Sequence, residues 1–366
     1  MKIFLIAGAR PNFMKIAPMA RAFDPHHDLD YKIVHTGQHY DHNMSDVFFQ
    51  ELGIRKPDYH LGAGGGSHAQ QTAKIMIGFE EICTQERPDL VIVVGDVNST
   101  LACSIVAKKM NIQVAHVEAG LRSFDLGMPE EINRMVTDAI SDIFFVTEDK
   151  GLENLLNEGK DKNTIHFVGH VMIDNLFYQL EKLEIMGREG FIGNEFKQEH
   201  PAYGVVTLHR PSNVDDQATL VSIMETLSTV AETLPLIFPI HPRTRKNMES
   251  WNIVPSENIR LVDPLSYMAF LNLWKDARMV LTDSGGLQEE TTALGIPCLT
   301  IRENTERPIT VTEGTNALMG VSRQKILDSF ERIMNNDWKI GQRPRFWDGR
   351  ASERIADIIQ RISNDR

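Results

Sequence analysis

"DLVIVVGDVNSTLACSIVAKKMNIQVAHVE", Asp89 to Glu118, decides the fold. It holds two apolar runs, 89–96 and 112–118, and neither alternates with polar residues. A strand with one wet face alternates. A strand covered on both faces reads as a continuous apolar run, and helices between such strands make the sheet parallel. Similar runs stand at 2–8, 31–37 and 143–147, with helical patterns between them. One such pattern covers 69–86, where Ala73, Ile77, Glu80 and Glu81 follow a helical spacing. The alternation then restarts with runs at 203–209, 235–241, 259–263, 277–283 and 296–301.

The expected fold is therefore α/β, with two Rossmann-like doubly wound domains facing a cleft. A chain of 366 residues suits two domains. The boundary is set near Gly169, which gives a first domain of 1–169 and a second of 170–349. A last amphipathic helix within 350–366 carries Ile355, Ile358, Ile359 and Ile362 on one face.

The formal net charge of −12 argues against a general nucleic-acid binder, which needs a basic surface. It leaves room for a local cationic pocket. Cys83, Cys103 and Cys298 form no C-x-x-C and sit in apolar surroundings, so they read as free core thiols in a reducing compartment. The N-terminal apolar run ends at Arg10-Pro11 and is far short of the about 20 residues that a membrane span needs. A cytoplasmic protein is expected, with no membrane and no nucleic acid among its partners.

In doubly wound sheets, ligands bind beyond the carboxyl ends of the strands. The first run ends in "GARPNFMK", which places Arg10 and Lys15 there as phosphate grips or as plain surface cations. There is no G-x-G-x-x-G fingerprint and no Walker lysine motif. "LTDSGGLQEE", 281–290, puts Ser284, Gly285 and Gly286 at a helix start. The exposed N–H groups and dipole of such a start attract anions. A capped turn without a ligand is the alternative. Glu290 lies far enough along that helix to reach a ribose diol.

Asp96, His116, Glu118 and His209 each stand at a strand end, where burial and neighbours tune carboxylates and imidazoles for proton transfer. Asp125 in its Gly-bearing loop reads as a loop cap. Glu131 and Arg134 are either an i, i+3 helix pair or part of the site. His35, His39 and His42 with Asp41 suggest a metal only weakly, because no second cluster has ligand spacing.

Taken together, "TGQHYDHNMSD", "GDVNST", "HVEAGLRSFD", "PEEINR", "VTLHRPSN", "DSGGLQEE" and "NTERPITVTEGTN" closely resemble the non-hydrolysing UDP-N-acetylglucosamine 2-epimerases. The resemblance runs in order from Gly8 to about Gly320 and implies a GT-B-like fold whose C-terminal helix returns to the first domain. It implies a cytoplasmic homodimer serving polysaccharide biosynthesis, which interconverts UDP-GlcNAc and UDP-ManNAc without NAD or metal. UDP is eliminated, a 2-acetamidoglucal forms, and UDP adds back on the other face.

By the same resemblance, Asp96, Glu118, Glu130 and His209 are the catalytic groups. Arg10, Lys15, Ser284, Gly285, Gly286 and Arg307 contact the diphosphate and sugar. Glu290 contacts the ribose and Phe270 lies beside uracil. Arg122, Arg134 and His241 complete the substrate contacts, the two arginines by orienting the carboxylates. "GARPNFMK" and "TERPIT" depart from the commoner family patterns and leave room for a variant sugar such as UDP-GalNAc or a UDP-diacetamido uronate. A UDP-dependent glycosyltransferase, a hydrolysing epimerase and an inactive UDP-sugar sensor are the rival readings.

Overall fold

The structure is a computed structural model that describes residues 1–37, 46–186, 191 and 193–364; the side chains of Arg10, Asp46, Val47 and Met186 lie outside that description. His39, Asp41 and His42 of the histidine segment also lie outside the described residues. The first sheet holds β1 (Lys2–Ala7), β2 (Asp30–His35), β3 (Tyr59–His60), β4 (Leu90–Val94), β5 (Gln113–Val117), β6 (Ile143–Val146) and β7 (Ile165–Phe167). The second holds β8 (Gly204–Thr207), β9 (Leu236–Pro239), β10 (Ile259–Val262), β11 (Met279–Thr282), β12 (Cys298–Thr300) and β13 (Asn316–Leu318). All of the described strand pairs are parallel.

Strand order is β3-β2-β1-β4-β5-β6-β7 in the first sheet and β10-β9-β8-β11-β12-β13 in the second. Both are doubly wound, and both reverse direction beside their first strand. The switch points fall between β1 and β4, and between β8 and β11, where crevices for ligands open in such sheets. The apolar runs became strands because both faces are covered: every residue of β4 and of β11 is buried. The runs did not reveal β3, β7 and β13. These strands have two or three residues each, too few to carry a pattern.

The helix over His68–Glu86 forms as expected, but it faces the other way. Ile75, Phe79, Ile82 and Cys83 are its buried side, and Ile77 is 63% exposed. The stripe through Ala73, Ile77, Glu80 and Glu81 is its solvent face. Cys83, Cys103 and Cys298 are free and buried. Burial pushes the Cys83 thiol up to about 12 and the Cys298 thiol up to about 11, so these thiols stay protonated and inert. Among the described residues, no helix is long and apolar enough to cross a membrane.

The chain forms two compact units, Met1–Tyr178 with Arg345–Arg366, and Gln179–Pro344. The C-terminal segment therefore belongs to the first unit. Trp347 Nε1 donates to Thr147 O at 3.2 Å, and Asp174 accepts from the Ala351 and Ser352 amides at 3.0 and 2.6 Å. Those two bonds satisfy two of the free donors at the start of helix Ala351–Asn364.

His35 ends β2 at 3% exposure, packed edge-on against His60 and Phe13, and its Nε2 has no hydrogen-bond partner among the described residues. Burial, then the neighbouring His60, pull its pKa from 6.5 down to about 4. The fold holds the ring neutral, whereas the unfolded chain protonates it below 6.5. This contribution is complete above pH 6.5 and is lost as pH falls toward 4. Between pH 7 and 5 the loss is about 2 kcal/mol. Urea unfolding of His35→Leu at the two pH values is expected to show a correspondingly smaller drop than wild type; an equal drop counts against the assignment.

Candidate active site

In the first unit, β1 feeds the helix Arg10–Phe23, whose start is closed by Asn12: its Oδ1 accepts from the Ala9 amide at 2.9 Å and the Gly8 amide at 3.3 Å. One turn further on, Lys15 Nζ reaches Glu118 Oε2 at 2.6 Å. The Glu118 side chain is 2% exposed, so this is a buried ion pair linking the helix after β1 to the end of β5. A side chain at Gly95 would stand 3.2 Å from Lys15 Nζ and 3.5 Å from Glu118 Oε2. The glycine after β4 leaves the space that the pair fills.

Glu118 has φ +69, the left-handed region that costs a non-glycine residue about 1–2 kcal/mol. Such strain persists only where the surroundings over-determine the backbone, and it gathers at functional sites. Here the Glu118 and Ala119 amides both donate to Phe145 O, at 3.1 and 3.2 Å, and Asn154 Nδ2 donates to Gly120 O at 2.8 Å.

Asp96 follows Gly95 at the end of β4 and is about one-third exposed. Arg134 Nη1 pairs with its carboxylate, and Asn133 Nδ2 donates to its backbone oxygen at 2.8 Å. Arg134 also pairs with Glu131 at 2.7 Å. The i, i+3 pair is therefore real, and it is also a bridge to Asp96. Glu131 in turn accepts from the Ser123 and Phe124 amides at 3.0 and 2.9 Å, which clamps the loop after β5. Burial works against its charge; the Ser123 amide, Arg134 and the Phe124 amide outweigh that and hold its carboxyl below the usual range. Asp125 closes the loop by accepting from the Gly127 amide at 2.9 Å.

Two sequence candidates take other positions. Arg122 is not directed to Glu118: it pairs with Asp138 at 2.7 Å and with Glu158 at 2.7 Å. Glu130, in the first turn of helix Pro129–Ile140, is exposed. The side chain of Arg10 lies outside the described residues.

In the second unit, Asp283 directly follows β11, is fully buried and organises the end of β8. It accepts from the His209 and Arg210 amides, both at 2.9 Å, and from Asn213 Nδ2 at 3.1 Å, and it meets His209 Nδ1 at 2.8 Å. Burial opposes its charge, but the His209 ring and these amides prevail and lower its pKa. The ionised Asp283 accepts a hydrogen bond from Nδ1–H, which fixes the ring's orientation and turns Nε2 away from the carboxylate. The His209 side chain is 45% exposed, so this nitrogen is available for proton transfer. His241 caps helix Pro242–Ser250, its Nδ1 accepting from the Arg243 amide at 3.2 Å, and its ring lies 6.4 Å from that of His209.

Ser284 stands at the N-cap of helix Gly285–Leu294 and makes no side-chain cap bond. Among the described residues outside the helix's own backbone, a Cβ at Gly285 or Gly286 would meet nothing within 4 Å. The helix start is thus uncapped and open, the geometry that accommodates an anion. Glu290 is 5% exposed and accepts from the Tyr267 hydroxyl at 2.6 Å. Tyr267 and the half-buried Phe270 share helix Tyr267–Trp274. Arg307 pairs through Nε with Glu289.

The sequence reading left Asp283 out of the site. It follows a strand that pairs, Thr282 beside Thr207, with the strand before His209. That adjacency follows from strand order, which no local pattern states.

A family model described as UDP-N-acetylglucosamine 2-epimerase matches residues 21–360. The UDP-N-acetylglucosamine 2-epimerase of Methanocaldococcus jannaschii is 41% identical over 369 residues, covering 98% of this chain and 99% of that protein. The UDP-2,3-diacetamido-2,3-dideoxy-D-glucuronate 2-epimerase of Pseudomonas aeruginosa is 38% identical over 373 residues, covering 99% of this chain and all of that protein. A crystal structure of the M. jannaschii enzyme in complex with UDP-GlcNAc and UDP is similar with a TM-score of 0.84 at 40% identity, covering 99% of this chain and 100% of that one. The fold is the GT-B-like α/β fold of these epimerases.

Proposed function

The chain belongs to the UDP-N-acetylglucosamine 2-epimerase family, a family of isomerases, and from that premise we propose that it interconverts UDP-GlcNAc and UDP-ManNAc by elimination and re-addition of UDP. The observation that carries this reading is the buried Lys15–Glu118 pair at a strained strand end beside the switch point.

The proton on C2 of an N-acetyl sugar has no adjacent carbonyl and is weakly acidic. It becomes removable as the anomeric C–O bond breaks and the ring gains cationic character. UDP leaves with the bonding electrons, a carboxylate takes the C2 proton, and the glycal double bond forms between C1 and C2. The reverse steps on the other face complete the epimerisation. Two acid/base groups are needed, and carboxylates also stabilise the developing cation.

Glu118, oriented by Lys15, takes one face; Asp96, held by Arg134, and the exposed Glu130 are the candidates for the other. In its protonated form, with Nδ1 committed to Asp283, His209 donates from Nε2 to the departing diphosphate. The open helix start at Ser284, Gly285 and Gly286 receives phosphate oxygens, helped by Arg10, His241 and Arg307. Glu290 binds the ribose diol, and Phe270 lies against uracil. This reading needs neither NAD nor a metal. The resemblance further supports a cytoplasmic homodimer that supplies a sugar nucleotide for polysaccharide synthesis. The P. aeruginosa relative favours a second substrate, a UDP-diacetamido uronate, whose extra carboxylate a second cation would have to meet.

The test is epimerisation in D₂O, with UDP-GlcNAc, UDP-GalNAc and a UDP-diacetamido uronate supplied separately and products read by proton NMR. The expected product is the UDP-linked epimer with deuterium at C2, formed without added NAD or metal. A glycosyltransferase leaves C2 unlabelled, and a hydrolysing enzyme releases labelled free ManNAc with stoichiometric UDP. An epimer that keeps protium at C2 rules out an exchanging base.

A further inference from the structure

The sequence marks His116 as a titratable group at a strand end, and the mechanism above gives it no task. The structure buries it completely, together with Asp138. His116 Nδ1 lies 2.6 Å from Asp138 Oδ1, and Nε2 lies 2.9 Å from Gly95 O. Both ring nitrogens face acceptors, a carboxylate and a carbonyl. Asp138 Oδ2 accepts from the Gly120 amide at 3.0 Å and from Arg122 Nη1 at 2.7 Å. Arg122 is anchored outward by two bonds to Glu158, at 2.8 and 2.7 Å.

Asp138 stands in the last turn of helix Pro129–Ile140, the end where the helix dipole disfavours a negative charge. Nothing in helix formation asks for an acid there. Its contacts supply the reason. One of its oxygens holds the turn that follows Glu118, and the other, through His116, holds the peptide that precedes Asp96. Burial opposes its charge, and His116 and Arg122 more than offset this, keeping its carboxyl below the usual range.

We propose that Asp138 is a positioning residue for both candidate bases, acting on Asp96 through His116 and Gly95 O, and on Glu118 through the Gly120 amide. Resting as it does on the epimerase reading, this assignment makes the pair of bases one mechanical unit. The strained Glu118 backbone and the Gly95–Asp96 turn are clamped from the same buried carboxylate. Displacing it shifts both bases relative to the sugar while leaving the second unit untouched.

The test uses the full-length protein with His116→Gln and Asp138→Asn. Misplacing a reacting group by a small distance costs up to about 100-fold, so kcat of His116→Gln is expected to fall about 10- to 100-fold. KM and UDP affinity should stay within about twofold, because those contacts lie elsewhere. The same substitution made on top of Asp96→Asn should cost less than about threefold more, because residues that act as a unit are not additive. A full further loss, or a loss carried by KM, overturns the proposal. His116→Gln leaves the Asp138–Arg122 pair intact, so this arm stands if Asp138→Asn fails to fold.

A second readout does not depend on turnover. Hydrogen exchange at the Gly120 amide should quicken at least about tenfold in Asp138→Asn, while amides of β8 and β9 keep their rates. Unchanged exchange at Gly120 overturns the proposal. Wild type that epimerises no UDP-HexNAc overturns the functional reading alone, and the exchange arm still decides the role of Asp138.

Discussion

Glu118→Gln is expected to lower kcat for epimerisation by at least about 100-fold, the usual scale for a general acid–base group. Glutamine keeps the shape and can still meet Lys15, but it cannot accept a proton from C2. UDP affinity should stay within about twofold, because Glu118 is assigned to the sugar ring and not to the nucleotide. Stability should fall, because Lys15 loses the only charge paired with it among the described residues, and a half-broken buried pair leaves a desolvated charge. Turnover by NMR, UDP titration calorimetry and thermal unfolding separate the three effects. If UDP binding collapses while turnover per bound substrate survives, Glu118 is a binding residue and the assignment is wrong.

Gly120→Ala is expected to be the most destabilising single-methyl change near this site. Gly120 has φ +77, and a Cβ there would stand 2.2 Å from the Gly151 carbonyl oxygen and 2.9 Å from Leu155 Cγ. The obstructing oxygen is backbone, so it cannot rotate away. The left-handed conformation alone costs alanine about 1–2 kcal/mol. Pushing apart the turn and helix Asp149–Asn157 raises the total to about 3–5 kcal/mol, the range reserved for strain and overpacking. Calorimetry should show a fall of about 10 °C in the melting of the first unit. Because the turn carries Glu118, residual folded protein should also turn over slowly. A variant that melts within about 2 °C of wild type would mean that the turn yields cheaply.

The contrast between these two positions separates local from tertiary information. Glu118 was legible before any coordinates: an acid directly after an apolar run, at the end where α/β sheets bind ligands. Gly120 was only one glycine in a loop. Its necessity lies in the approach of Gly151, 31 positions along the chain, which no local pattern reports. His209 was likewise legible, and Asp283, which sets its tautomer, was not. Arg122 illustrates the reverse case. Its sequence neighbourhood placed it among the carboxylates of the site, but its guanidinium reaches Asp138 and Glu158 instead.

By itself the sequence determined the two doubly wound sheets, an amphipathic C-terminal helix, the buried thiols and the strand ends that hold candidate chemistry; the return of that helix to the first unit came from the family resemblance and is seen in the structure. These follow from burial along the chain, and burial is written residue by residue: covered strands must be apolar, helix faces must repeat, and a helix start needs donors left free. Only the tertiary structure decided which charges meet. Lys15 and Glu118 are 103 residues apart, and His209 and Asp283 are brought together by neighbouring strands. A buried charge is tolerated only beside a partner, and the identity of that partner depends on strand order and side-chain reach. Both arise when the sheets assemble, which is why the partners of the acids were settled by packing and their presence by sequence.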